Sequence, residues 1–161
     1  MKKRLKIFCI HCSATPAGRN VQPSTIKKWH TDPVSKGGRG WSKIGYSDII
    51  TLDGVVHNMR AYNSDPWVDE NEITNGAAGI NSISRHICYV GGLSADLSKA
   101  QDTRTEAQTE ALKQQCLKMV KLYPGILIGG HNQFSPKSCP SFDVPAFLLA
   151  IGIDRKNIYG S

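Results

Sequence analysis

No stretch of this chain approaches the roughly 20 apolar residues of a membrane-spanning helix, so no transmembrane helix is predicted. The start, Met1-Lys-Lys-Arg-Leu-Lys, has the charge of a leader, but the apolar run behind it, Ile7-Phe-Cys-Ile, is too short for a signal-peptide core. No tract is biased enough in composition to predict disorder. Acid is scarce: 13 Asp and Glu stand against 20 Lys and Arg, giving a formal charge of +7 and a pI of about 9.3. That balance favours nucleic acid, anionic membrane or an anionic cell-wall polymer as partner, and fits a basic solubilising surface equally well. Cysteines are few and odd in number: Cys9, Cys12, Cys88, Cys116 and Cys139. Three lie in apolar runs or a helical stripe, so they read as reduced thiols of a chain made in the cytosol.

What is present is organised around Gly129 to Asp143. His131, Lys137 and Cys139 fall close together there, without a helical apolar period, and Pro136 and Pro140 stiffen the backbone. The apolar run from Ile126 leads in, which predicts a buried strand with His131 at its mouth and a loop folding back over its end. Imidazole nitrogen and thiolate sulfur suit zinc, and a catalytic zinc keeps three protein ligands and one open position. His131 and Cys139 supply two of the three, and the third must come from elsewhere.

At 161 residues the chain is expected to form one domain, residues 1–161 with a core over about 7–150, burying roughly two thirds of its unfolded surface. A strand is expected from Leu5 to Ile10, with His11 at its exit; Cys12 beside it would point to the opposite face. Pro23 to His30 predicts a short helix with Ile26, Trp29 and His30 at helical spacing and Lys27 and Lys28 in solvent. Ser35 to Gly45, basic and glycine-rich around Trp41, predicts a mobile loop. Gly45 to Asn58 predicts a hairpin turning at Asp53-Gly54, with Tyr46 opening its first strand.

Met59 to Ser82 is long and irregular and contains Asp69, Glu70 and Glu72. Ser84 to Val90 predicts another strand, with His86 and Tyr89 on opposite faces and His86 structural. Thr103 to Glu106 has the capping-box form. Ala111, Leu112, Cys116, Met119, Val120 and Tyr123 then recur at helical spacing, predicting a long helix stopped by Pro124-Gly125 with Cys116 in the core. Val144 to Ile151 predicts a last helix before a polar tail. Strands alternating with helices predict an α/β domain, a central mixed sheet flanked by helices, with His11 and His131 brought to a candidate zinc site at one edge.

Ile10-His-Cys-Ser-Ala-Thr, Gly45-Tyr46, Gly91-Gly92, and His131 with Pro136-Lys-Ser-Cys-Pro-Ser-Phe-Asp143 occur in that order. Together they resemble the type 2 N-acetylmuramoyl-L-alanine amidases, a family that includes small phage endolysins and the catalytic domains of peptidoglycan recognition proteins. The correspondence runs from about Ile7 to Phe147. The resemblance implies that His11, His131 and Cys139 hold Zn²⁺, that Tyr46 and Lys137 are catalytic, and that the substrate is the lactyl–L-alanine amide of peptidoglycan or a muropeptide. It fits a phage or prophage endolysin, the reading the short chain favours, and also a cytosolic enzyme that recycles wall fragments; a monomer is the default state. Such an enzyme would be made in the cytoplasm without a signal peptide and would reach the wall by another route. The basic surface would serve to hold an anionic wall polymer. The chain departs from the family's usual pattern after Tyr46, around Asn75-Gly76-Ala77 where relatives carry a His, and at Arg85 and His86 in an otherwise apolar strand.

Three other readings compete. A non-catalytic peptidoglycan-binding module of this fold typically lacks the cysteine ligand, which is present here as Cys139. A nucleic-acid-binding or polymerase-regulating protein lacks support from any helix-turn-helix or zinc-finger spacing. A thiol hydrolase using Cys139 with His131 would need a metal-free cysteine with a depressed pKa.

Overall fold

The computed structural model describes residues 1–161. Its main sheet has five strands: β1 (Ile7–Cys12), β2 (Asp48–Ile50), β3 (Val56–Asn58), β4 (Ser84–Tyr89) and β5 (Leu127–Gly130), in spatial order β3-β2-β4-β1-β5. β2, β4, β1 and β5 run parallel, and β3 returns antiparallel beside β2. The sheet is therefore mixed, as the alternation of elements predicts. Three helices flank it: α1 (Pro23–Thr31), α2 (Glu106–Leu122) and α3 (Val144–Ala150). None is long and apolar enough to cross a membrane.

Every residue of β1 and β4 is buried, because both faces of these central strands are covered. Alternation then sorts the side chains. Phe8, Ile10, Cys12, Ile87 and Tyr89 pack with Leu112, Cys116 and Met119 of α2 and Leu148 of α3 in the larger core. Ile49 and Cys88 pack with Ile26 of α1 in the smaller one. Cys9, His11, Ser84 and His86 share the parity of Cys88, so this second face carries both histidines of β1 and β4 together with Ser84.

Several local expectations are corrected. β1 runs on through Cys12, so His11 lies within the strand and not past its exit. Tyr46 precedes β2, which begins at Asp48. On α1, Ile26 and His30 turn inward four residues apart, while Trp29 is 38% exposed. The loop after α1, expected to be mobile, is tied back by the Arg39, Gly40 and Trp41 amides, which donate to the carbonyls of Trp29, Asp32 and His30.

The capping box of α2 starts at Thr105 and not Thr103. Thr105 Oγ1 accepts from the Gln108 amide and Gln108 Oε1 accepts from the Thr105 amide, each at 3.0 Å. Tertiary bonds choose between the two overlapping motifs. Thr105 Oγ1 also donates to the Leu52 carbonyl at 2.7 Å, and buried Gln108 Nε2 donates to the Ile50 and Val90 carbonyls at the ends of β2 and β4. Thr103 is engaged elsewhere, accepting the Gly92 amide at 2.8 Å.

The acidic patch in the long irregular segment is partly internal. Glu72 is buried and pairs with Arg85 of β4 at 3.3 Å, and the Arg85 guanidinium lies 4.2 Å above the Tyr62 ring. The polar tail is not featureless either. Asn157 Nδ2 donates to the Pro124 and Ile126 carbonyls, and the Tyr159 amide donates to Ile128. These bonds cover part of the outer edge of β5, which would otherwise present unpaired backbone.

Candidate active site

Strand register brings the two sequence-distant histidines together. Gly130 of β5 lies opposite Ile10 of β1, so His131, the next residue, comes level with His11. Their ring centroids are 4.6 Å apart. From His131 the chain makes one turn of 3-10 helix and folds back, the Asn132 amide donating to the Cys139 carbonyl at 2.7 Å. Two further bonds hold the returning loop: Tyr89 Oη donates to the Pro140 carbonyl at 2.7 Å, and Ser141 Oγ donates to Gly92 at 2.9 Å. Cys139 Sγ then lies 3.8 Å from His11 Nδ1 and accepts the Cys12 amide at 3.2 Å.

The ligand atoms of His11, His131 and Cys139 all lie within 4.8 Å of one another. With Zn–N of about 2.0–2.1 Å and Zn–S of about 2.3 Å, tetrahedral coordination places an N and an S about 3.6 Å apart. The observed 3.8 Å fits a first-row ion with little movement.

Tyr46 reaches the same place from the loop before β2. Its ring is 5.0 Å from that of His11 and meets His30 edge-on at 5.3 Å. The Gly45 amide donates to His30 Nδ1 at 3.0 Å, which fixes the approach of Tyr46. Lys137, exposed on the returning loop, lines a cavity of about 380 Å³ with His131, Arg39, Trp41, Asn75 and Asn81. All five candidate residues therefore converge at the carboxyl ends of β1 and β5.

A sequence model described as N-acetylmuramoyl-L-alanine amidase matches residues 1–142. The chain belongs to this amidase family. It is similar to the endolysin of Escherichia phage T7, 34% identical over 135 residues that span 84% of this chain and 80% of the relative. It is also similar to peptidoglycan-recognition protein SC2 of Drosophila melanogaster, 27% identical over 137 residues, 83% of this chain and 64% of that one. Among solved structures, the fold resembles the Ph2119 endolysin from a Thermus scotoductus bacteriophage, with a TM-score of 0.70 and 23% identity over 94% of this chain and 87% of that one.

In this amidase the charge states leave neutral nitrogen donors at the pocket. Burial, then the neighbouring His86, His131 and Lys137, holds His11 well below the usual imidazole range. Burial and Lys137 lower His131 as well. Both rings are therefore neutral near pH 7 and free to ligate. The Cys139 thiol is pushed up by its hydrogen bond with Cys12 and by burial, so it keeps its proton until a positive charge arrives. Burial raises Tyr46 well above the ordinary phenol value, leaving it a proton donor across the neutral range.

Two histidines that matter to the amidase pocket were legible only as structural residues. His30 anchors the backbone before Tyr46, and His86 Nδ1 lies 2.8 Å from His11 Nε2. His86 stood out in the sequence only as a polar residue in a buried strand. Nothing in the spacing linked it to His11, because the link depends on β1 and β4 being neighbours.

Proposed function

We propose that this amidase is a zinc hydrolase that cleaves the amide between the lactyl group of N-acetylmuramic acid and L-alanine of peptidoglycan, and that it acts as an endolysin. The observation that carries the reading is the convergence of His11, His131 and Cys139 donor atoms within 4.8 Å beside a cavity lined by Lys137. Imidazole nitrogen and thiolate sulfur are both zinc ligands, and three protein ligands leave one position open. When bound there, zinc supplies a Lewis acid toward an amide carbonyl and makes water acidic enough to attack near neutral pH.

The chain's own residues supply the rest. Attack on the carbonyl carbon forms a C–O bond and moves the carbonyl electron pair onto oxygen. Lys137, which lines the cavity with His131, would donate a hydrogen bond to that oxygen as its charge develops. The neutral Tyr46 phenol orients the attacking water or hands a proton to the departing alanine nitrogen as the C–N bond breaks. Arg39 and Trp41, whose guanidinium and ring lie 5.0 Å apart, wall the cavity and present a positive charge and a flat apolar surface to a muropeptide. Exposed Lys27 and Lys28 on α1 would add attraction to an anionic wall polymer.

The thiol-hydrolase reading has less support from the geometry, since it leaves without a role His11, whose Nδ1 lies 3.8 Å from Cys139 Sγ and whose donor atom groups with those of His131 and Cys139. The deciding experiment measures zinc content and new amino termini released from purified peptidoglycan, for the wild type and Cys139→Ala. One zinc per chain with hydrolysis, both lost in the variant, is the expected result. A wild type that binds zinc but releases no amino termini would make the protein a binding module.

A further inference from the structure

Behind the candidate ligand His11 lie two buried polar side chains, Ser84 and His86, to which the reaction assigns no role. Ser84 and His86 of β4 and His11 of β1 are each at most 2% exposed, on one face of the sheet. Ser84 Oγ is 2.7 Å from the Ile80 carbonyl oxygen and 2.8 Å from His86 Nε2, and His86 Nδ1 is 2.8 Å from His11 Nε2. These three bonds form a chain with only one consistent direction.

A carbonyl oxygen accepts and never donates, so the single Ser84 hydroxyl proton goes to Ile80. Ser84 Oγ must then accept from His86 Nε2–H. A neutral imidazole carries one N–H, so His86 Nδ1 is the bare nitrogen and accepts from His11 Nε2–H. His11 is left with its lone pair on Nδ1, the nitrogen 3.8 Å from Cys139 Sγ. We propose that His86 and Ser84 are positioning residues which, through this relay from the Ile80 carbonyl, lock His11 in the tautomer and ring orientation that aim Nδ1 at the metal pocket. The proposal rests on the zinc reading above.

The space for this ring is itself built. A Cβ on Gly76 would lie 2.3 Å from His86 Cγ and Nδ1, so only glycine there leaves room for the imidazole. Cys9, His11 and His86 also have donor atoms within 4.8 Å of one another, which invites a second metal site. The relay argues against it. The two facing nitrogens are 2.8 Å apart and share a proton, whereas two nitrogens on one tetrahedral zinc stand about 3.3 Å apart.

Long-range ¹⁵N–¹H NMR of the metal-free protein reads the tautomer without any metal or activity, and zinc competition titrations read its consequence. We expect the His11 proton on Nε2 in the wild type. In His86→Leu we expect His11 to lose this single tautomer and zinc affinity to fall about 10–100-fold. His86→Gln, whose amide oxygen accepts and whose NH₂ donates, should recover most of that affinity. Ser84→Ala, a smaller perturbation, should weaken zinc binding in the same direction. A His11 proton on Nδ1 in the wild type overturns the proposal. So does a folded His86→Leu with unchanged zinc affinity, or a second zinc bound through Cys9 and His86. A wild type with the Nε2–H tautomer that binds no zinc supports the relay and overturns the hydrolase reading it serves.

Discussion

The amide of Asn132 donates to the carbonyl of Cys139 across 2.7 Å, and this bond turns the loop so that the Cys139 thiol comes back beside His11 and His131. The donor set it assembles is neutral throughout, two unprotonated imidazoles and a protonated thiol, and that charge state makes the pocket's response to metal testable.

Zinc uptake should release one proton. His11 and His131 are held neutral, so they have none to lose at pH 7, while the Cys139 thiol is pushed up and must lose its own to ligate. Affinity should then climb about tenfold per pH unit between pH 6 and 8. Calorimetry in two buffers of different ionisation enthalpy counts the protons, and a count of zero would remove Cys139 from the ligand set.

Lys137→Ala and Tyr46→Phe should separate catalysis from metal binding. Neither side chain belongs to the donor cluster, so each variant should retain its zinc. Loss of the oxyanion donor should lower kcat by roughly 10²–10³, and loss of the phenol by about 10². Loss of zinc from either variant would assign that residue to the pocket's architecture and not to the reaction.

The metal-free protein should weaken in mild acid. Burial, then the proximity of His131, brings His86 down to about 3, against about 6.5 for an unfolded histidine. Above pH 6.5 both states are neutral and this histidine leaves stability independent of pH. As pH falls below 6.5 the unfolded chain takes up a proton that the fold refuses, so stability drops by roughly 1.4 kcal/mol per unit until about pH 3. His30, brought down to about 4 by burial and Arg39, acts in the same direction. Urea unfolding of the metal-free protein at pH 7.5, 5.5 and 4.5 measures the slope, and equal stabilities would contradict it.

Glu72→Ala should be among the most damaging changes outside the pocket. The Arg85 and Glu72 side chains are only 3% and 4% exposed, and removing the carboxylate leaves a buried, unpaired guanidinium. The cost should be about 3–5 kcal/mol, or roughly 10 °C in Tm. Replacing both partners by leucine should cost less than the single change, and the reverse order would show that the pair itself stabilises the fold.

Much of this was readable from local pattern. The strand leading to His131, the hairpin at Asp53-Gly54, the amphipathic helix with Cys116 inside, and Cys12 facing away from His11 all follow from periodicity and turn chemistry, which act between near neighbours. Errors gathered where two local answers were equally good. Thr103 and Thr105 both begin a capping box, and contacts with Leu52, Ile50 and Val90 decided for Thr105. Trp29 and His30 both suited the buried face of α1, and the Gly45 amide found its acceptor in His30.

By itself the sequence determined the kind of chemistry: a His and a Cys on a proline-stiffened loop, a second His in a buried strand, and the family to which those motifs belong. Tertiary structure alone decided which atoms meet. Pairing of β1 with β5 sets His131 level with His11, and pairing with β4 puts His86 behind it. The physical reason is reach. Spacing along the chain governs helices, turns and alternation, whereas a hydrogen bond between residues 11 and 86 depends on strand order, which emerges only when the whole sheet buries its two faces.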